Sequence, residues 1–315
     1  MVKEVKYPKV DFPEDTLPSP NLTPSVFPVF DFDFERAKIM IKNDKTKIYR
    51  YQSENDRITV VKELQIRNEE EAIKLLERER DNLTKCNHKN IVRCFRICEK
   101  SKKLYIEMEY MDMGSLFHIN EHINEIEEAV VSFVAYEVLQ GLHYLHKELN
   151  IIHRDIKPSN ILVNSKGEVK ISDLGISKQM AATMAENKTF AGTKPYMSPE
   201  RLLGQKYTIK SDIWSLGLTL WSFATGAHPY EKKGVELGYF RFLEMIVKGP
   251  VPELPDSFSD DFKDFLSKCV KVDPDERESA LKLIKHPFIK KSTSLTVQKH
   301  LRVSLLKLVG WAREQ

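Results

Sequence analysis

Within the stretch His153 to Asn160, HRDIKPSN, a carboxylate at Asp155 is followed by a lysine two positions on, Lys157, and by an amide five positions on, Asn160. A second acid, Asp173, opens the tripeptide DLG. An acid can take the proton of an incoming hydroxyl, and a lysine can neutralise charge on a moving phosphoryl group. An amide and a carboxylate are hard oxygen donors of the kind Mg²⁺ prefers. The ordered set is what phosphoryl transfer needs, because that chemistry asks for positioning and charge stabilisation more than for a covalent intermediate.

Such residues need a frame. Between Asn160 and Asp173, two β-like runs flank the polar turn NSKG, so a short hairpin brings the second acid back beside the first loop. Upstream, FDFDF at Phe30 to Phe34 alternates, and Ile39, Ile41, Ile48 and Val60 continue in short strand-like runs split by polar turns. Asn68 followed by three glutamates makes a capped helix start over about Glu69 to Lys85, with Ile73, Leu76 and Leu83 as its apolar stripe. NIVRCFRIC and KLYIEMEYM complete a unit of five strands and one helix ending near Tyr110. Beyond Gly114 the pattern turns helical: EAVVSFVAYEVLQGLHYLHKEL is apolar on most faces and must be buried. Leu301, Leu305 and Leu308 stand at helical spacing in a last helix that docks on the second unit.

A chain of 315 residues suits two lobes. Charges of both signs are abundant and nearly cancel, 49 Lys plus Arg against 46 Asp plus Glu, so a net +3 gives no case for a nucleic-acid or membrane-surface partner. Cys86, Cys94, Cys98 and Cys269 form no CxxC pair and read as buried free thiols of a reducing compartment, with neither disulfide nor zinc framework. The N-terminus has no apolar signal region, and Val2 stands where myristoylation needs glycine. The longest apolar run, IWSLGLTLWSFA, is too short for the roughly 20 residues of a membrane span and reads as a core helix. The expected location is cytoplasmic.

HRDIKPSN and DLG resemble the catalytic and metal-binding loops of eukaryotic protein kinases. The resemblance covers about residues 34–289. It implies an α+β, bilobal protein-kinase-like fold with a five-stranded antiparallel sheet plus one helix in the first lobe and a mainly α second lobe. The divisions are then residues 1–33 as an extended or disordered tail, 34–110 and 111–290 as the lobes, and 291–315 as a helical extension. ATP and Mg²⁺ follow as cofactors. Asp155 becomes the catalytic base and Lys157 the partner of the γ-phosphate, with Asn160 and Asp173 holding Mg²⁺ and His153 and Arg154 positioning the loop. ITVVKEL resembles the strand that carries the phosphate-binding lysine, Lys62, and Glu79 aligns as its ion-pair partner, with Glu77 as the competing reading. Met108 guards the back pocket, the backbone of Glu109 and Met111 reads adenine, and Leu162 is the adenine floor. GTKPYMSPE resembles the end of an activation segment, with Thr193 near the substrate hydroxyl and Glu200 paired with Arg277, while Asp212 anchors the catalytic loop.

More narrowly, HRDIKPSNILVNSKGEVKISDLGISKQM and GTKPYMSPERL are similar to the MAP kinase kinases, which phosphorylate Thr and Tyr of a MAP kinase. That implies a MAP kinase as substrate and an upstream kinase as activator, acting on Thr183 and Thr189 in ATMAENKTFAGT. Phosphorylation there adds about −1.5 to −2 charge, able to pair with Arg154. Lys3, Lys6 and Lys9 ahead of Val10 and Phe12 read either as a docking segment for the substrate or as a lysine-spaced tail without that role.

The chain departs from the family at the nucleotide lid. No glycine precedes Gly114, and the family's G-x-G-x-x-G falls on Ile41, Asn43 and Thr46, with Ile48 lining the same site on the strand beyond. Glycines let backbone amides approach phosphates and permit positive φ; Asn43 and Asp44 are the next best residues for such a turn. Val60 stands where alanine is preferred above the adenine. These losses touch nucleotide binding and leave the transfer residues in place, so the expectation is an active kinase with weak ATP affinity. Another Ser/Thr kinase of related type and a weakly ATP-binding pseudokinase scaffold stay open as alternatives.

Overall fold

Alternating side chains make strands when one face can be buried, and the first part of the chain does this five times. The computed structural model describes residues 32–43, 46–53, 56–65, 86–101, 103–123, 126–174, 194–230, 238–249 and 253–314. Strands β1 (Ala37–Lys42), β2 (Thr46–Gln52), β3 (Ile58–Gln65), β4 (Cys94–Lys100) and β5 (Lys103–Glu109) form an antiparallel sheet in the order β1-β2-β3-β5-β4. One face carries Tyr49, Tyr51, Val61, Cys98 and Tyr105, all buried together with Phe32. The other face aligns Ile48, Lys62 and Ile106 across three strands, and Arg50, Val60 and Met108 beside them. The helix expected over 69–85, with Glu79 and Glu77, lies outside the described residues.

The described residues of FDFDF, 32–34, do not begin the sheet. Residues 32 and 33 are irregular, and Phe34–Arg36 is a single 3-10 turn. The cause is local: the Asp33 carboxylate accepts from the Glu35 N–H (2.9 Å) and pairs with Arg36 (3.3 Å), offering the backbone a turn instead of a ladder. Phe32 is thereby turned onto Tyr49 and Tyr51, with ring centroids at 5.6 and 4.8 Å.

The second lobe is helical, as expected. A short sheet of β6 (Gly114–Ser115), β7 (Ile161–Val163) and β8 (Val169–Ile171) carries the polar loops. The helices are α1 (Leu116–His122), α2 (Glu128–Lys147), α3 (Pro199–Leu202), α4 (Lys210–Thr225), α5 (Tyr239–Lys248), α6 (Asp260–Cys269), α7 (Ala280–Ile284), α8 (Pro287–Lys290) and α9 (Leu295–Glu314). Helix α2 is the centre of this lobe: its apolar side chains from Val130 to Leu145 are almost all inaccessible to solvent. Gly141 lets it approach β8, since a Cβ there would lie 2.9 Å from the Ile171 side chain and 3.0 Å from the Asn90 carbonyl. Helix α9 docks through Leu301, Leu305, Val309 and Ala312. All four cysteines are free and buried, and burial raises each thiol pKa, that of Cys86 to about 11. No helix among the described residues is long and apolar enough to cross a membrane.

Residues 200 and 277, expected to pair, form a bidentate contact with both N–O distances at 2.8 Å, and the Arg277 guanidinium also lies 5.1 Å from the Trp214 ring centre. Both are buried, and Arg277 donates further to the Lys271, Val272 and Lys210 carbonyls. Burial alone raises the Glu200 pKa, but Arg277 outweighs it and holds the carboxyl below the ordinary glutamate value. Removing one partner of a buried pair strands the other charge, so Arg277→Ala should cost about 3–5 kcal/mol of stability in urea unfolding. A cost below about 1 kcal/mol would show that the pair is not a support of this lobe.

Candidate active site

The loop 153–160 starts from a buried carboxylate. Asp212, on the first turn of α4, accepts from the His153 N–H (2.8 Å) and the Arg154 N–H (2.8 Å), and its Oδ2 lies 2.8 Å from His146 Nε2. It has no solvent exposure. Burial raises its pKa, but the His146 hydrogen bond and the neighbouring amides more than offset this, and the carboxyl sits below the ordinary aspartate value. With an ionised acceptor, the His146 ring nitrogen must be the donor.

From that anchor the loop is passed along by hydrogen bonds. His153 is fully buried, and burial lowers its pKa, so its ring is neutral. Its Nδ1 accepts from the Asp155 N–H (3.2 Å), which leaves Nε2 to donate to the Ser172 carbonyl (2.9 Å). One imidazole thus ties the loop to the residue before Asp173. Asn160 Nδ2 donates to the Asp155 carbonyl (2.8 Å), and the Ser172 N–H donates to the Asn160 carbonyl (2.8 Å). Arg154 (φ 69°) and Asp173 (φ 58°) both adopt left-handed backbone. Such conformations persist where the surroundings over-determine them, often at functional sites.

Lys157 Nζ lies 3.2 Å from Asp155 Oδ2. From the sheet, Lys62 is nearly buried and its Nζ reaches Asp173 Oδ1 at 2.7 Å. Burial raises the Asp173 pKa, but the Lys62 charge beside it prevails and keeps the carboxyl below its usual range. Because Asn160 spends its amide nitrogen on Asp155, its carbonyl oxygen faces the other way. That oxygen and the Asp173 carboxylate are two hard donors on adjoining backbone, a set that fits a hard divalent cation completed by waters and phosphates.

On the nucleotide side, Val60 pairs with Met108 across β3 and β5, and Met111 is buried in the segment between the sheet and α1. The Glu109 N–H donates to the Arg93 carbonyl (2.9 Å), so that amide is already occupied. Its side chain is held by Lys170 at 2.6 Å. Leu162 sits on β7, half-buried, in register with Lys170 and Ser115. The β1–β2 hairpin forms, with Ile41 opposite Ile48 and a register shift between Ile39 and Ile41. Of the two residues expected to make its turn, Asn43 is described and Asp44 lies outside the described residues. The Asn43 N–H donates to the Thr46 carbonyl (3.0 Å), and the Asn43 side chain accepts from the Thr46 N–H (2.8 Å). Neither Asn43 nor Thr46 has positive φ. The side chain at 43 closes the turn and occupies the amide at 46. Thr183, Thr189 and Thr193 lie outside the described residues.

A family model described as the protein kinase domain matches residues 45–289. The chain belongs to the protein kinase family. This kinase chain is 47% identical over 205 residues to mitogen-activated protein kinase kinase 1c of Physcomitrium patens, covering 64% of this chain and 59% of that one. It is 42% identical over 237 residues to mitogen-activated protein kinase kinase 1 of Arabidopsis thaliana, with 73% and 66% covered. With the Drosophila melanogaster dual specificity mitogen-activated protein kinase kinase dSOR1 it shares 41% over 242 residues, 70% and 61%. The kinase chain spans about three fifths of the length of these curated relatives.

Three supports of the kinase site were missed in the sequence. His146 holds Asp212, Arg201 Nη1 donates to the Arg154 carbonyl (2.7 Å), and Lys170 holds Glu109. His146 and Lys170 carry no spacing signal, since their partners are 66 and 61 positions away. Only Arg201, directly after Glu200 in SPERL, stands within a motif that could have flagged it. Replacing Asp212 by alanine strands two amides and an imidazole, each buried donor costing about 1–3 kcal/mol. Asp212→Ala should therefore lose at least about 3 kcal/mol in urea unfolding, and Asp212→Asn less, since an amide oxygen can still accept. Equal, small losses in both would contradict the anchoring role.

Proposed function

We propose that this kinase chain transfers the γ-phosphoryl group of ATP to protein hydroxyls, and that it is a MAP kinase kinase acting on Thr and Tyr of a MAP kinase. The observation that carries the transfer chemistry is Lys62, from the sheet, 2.7 Å from Asp173 and thereby beside the loop of Asp155, Lys157 and Asn160. The narrower substrate reading is supported by the likeness to proteins named as mitogen-activated protein kinase kinases in a moss, a flowering plant and a fly. The lobes on this reading are residues 34–110 and 111–290, with 291–315 as an extension and a cytoplasmic location.

Asp155 is the base. It takes the proton of the substrate hydroxyl as the oxygen bonds to the γ-phosphorus and the bond from phosphorus to the bridging oxygen breaks, releasing ADP. Lys157, already 3.2 Å from Asp155, neutralises charge on the moving group. Asn160 and Asp173 would hold Mg²⁺, which would supply positive charge against the charge of the transferring phosphate. Lys62 contacts the α- and β-phosphates, so the Lys62–Asp173 contact is exchanged for contacts with phosphate and metal. Thr46 spends its N–H on Asn43, and Val60 narrows the adenine slot, so nucleotide affinity is weak while the transfer residues are intact. A scaffold has no chemical need for that intact set.

Activation follows phosphorylation of Thr183 and Thr189 by an upstream kinase, with the new charge meeting Arg154 and ordering the segment. The test is incubation with a MAP kinase and mapping of its phosphorylated residues before and after treatment with an upstream activating kinase. The expected product carries phosphate on both the Thr and the Tyr of the activation loop. With Thr183→Ala/Thr189→Ala the rate should stay at the untreated level. Phosphate on Ser or Thr elsewhere only, or undiminished activation of the double variant, would overturn the reading.

A further inference from the structure

Helix α1 begins just after the segment that joins the sheet to the helical lobe, and it reads LFHINEH. Leu116 and Ile119 have no solvent exposure, and Asn120 Nδ2 donates to the Ser222 (3.2 Å) and Phe223 (3.1 Å) carbonyls at the end of α4. Ser115 caps the first turn by accepting from the His118 N–H (3.4 Å). The backbone of this turn is therefore fixed from its inner side. His118, Glu121 and His122 stand at i, i+3 and i+4 and project from the opposite side, the side chains of His118 and Glu121 being 39% and 50% exposed.

Their potential ligand atoms all lie within 4.8 Å of one another. His118 Nδ1 is 3.4 Å from Glu121 Oε2, and the two imidazole rings are 5.3 Å apart at 85°. Ligands of one tetrahedral zinc ion at about 2.0–2.2 Å are about 3.3 Å from each other. Rotamer changes on a fixed backbone cover the difference. Two imidazoles with one carboxylate suit a borderline divalent transition metal rather than Mg²⁺ or Ca²⁺. The i, i+4 spacing of the two histidines in H-x-x-E-H is also one by which helices present a pair of zinc ligands on a single face.

We infer that His118, Glu121 and His122 form a surface site for a divalent transition metal, zinc by preference, with water completing the coordination. The site is separate from the phosphoryl-transfer residues and does not depend on that reading. His118 also lies over the turn at Gly114 (φ +86°), where an added Cβ would be 4.0 Å from its ring.

The experiment is calorimetric titration of the untagged full chain with ZnCl₂, paired with thermal unfolding in its presence and absence. Wild type should bind one Zn²⁺ per chain and unfold at higher temperature when loaded, because an ion bound by the native state stabilises by mass action. His118→Ala, Glu121→Gln and His122→Ala should unfold without zinc at the wild-type temperature. Each should weaken binding at least about tenfold, the cost of losing even an outer partner of a metal ligand. Absence of saturable binding to wild type, or wild-type affinity in any of the three variants, would overturn the site.

Discussion

A single ionised carboxylate with no access to water, Asp212, sets the geometry on which the site depends. It is tolerable inside the protein because three donors meet it: two consecutive amides at His153 and Arg154 and the ring of His146. The same three bonds define where the loop begins, and they hold Arg154 in left-handed backbone. From there each step is a fixed hydrogen bond, through the neutral imidazole of His153 to Ser172 and through Asn160 to Asp155. The loop's backbone is held at several points by these bonds, which is the kind of fixing that preorganised charge stabilisation demands.

The second constraint lies between the sheet and that loop. Lys62 is almost buried, and its charge is balanced by Asp173 at 2.7 Å. The Lys62 charge holds the Asp173 carboxyl below its ordinary range although burial alone would raise it. On the proposed reading, binding a nucleotide and a cation exchanges this one contact for contacts of Lys62 with phosphate and of Asp173 with the cation. On the same reading, a hairpin whose Thr46 amide is already bonded to Asn43 weakens nucleotide capture and leaves the transfer residues in place.

Much of this could be read along the chain. Asp155, Lys157, Asn160 and Asp173 stood in short stretches whose spacing carries the chemistry, Asp212 and the Glu200–Arg277 pair were implied by the resemblance to protein kinases, and their contacts follow. The five strands were visible because alternation reports a half-buried face directly. FDFDF alternates as well, yet Asp33 turns the chain with its own side chain, a local hydrogen bond that alternation cannot express. His146 and Lys170 act on partners more than 60 positions away and had no local mark. At Asn43 the tight turn was foreseen, and its side-chain acceptor for the Thr46 N–H was not.

The most direct test of the central claim, that intact transfer chemistry sits behind a poor nucleotide lid, is labelled phosphate transfer from Mg·ATP to a protein substrate over a range of ATP concentrations. It is run on wild type and Asp155→Asn, with ATP binding measured on both. Wild type should transfer phosphate with a high KM for ATP, and Asp155→Asn should still bind ATP while losing transfer by at least about a hundredfold, the scale of general-base catalysis. ATP binding without transfer by wild type, or equal transfer by the variant, would contradict the account.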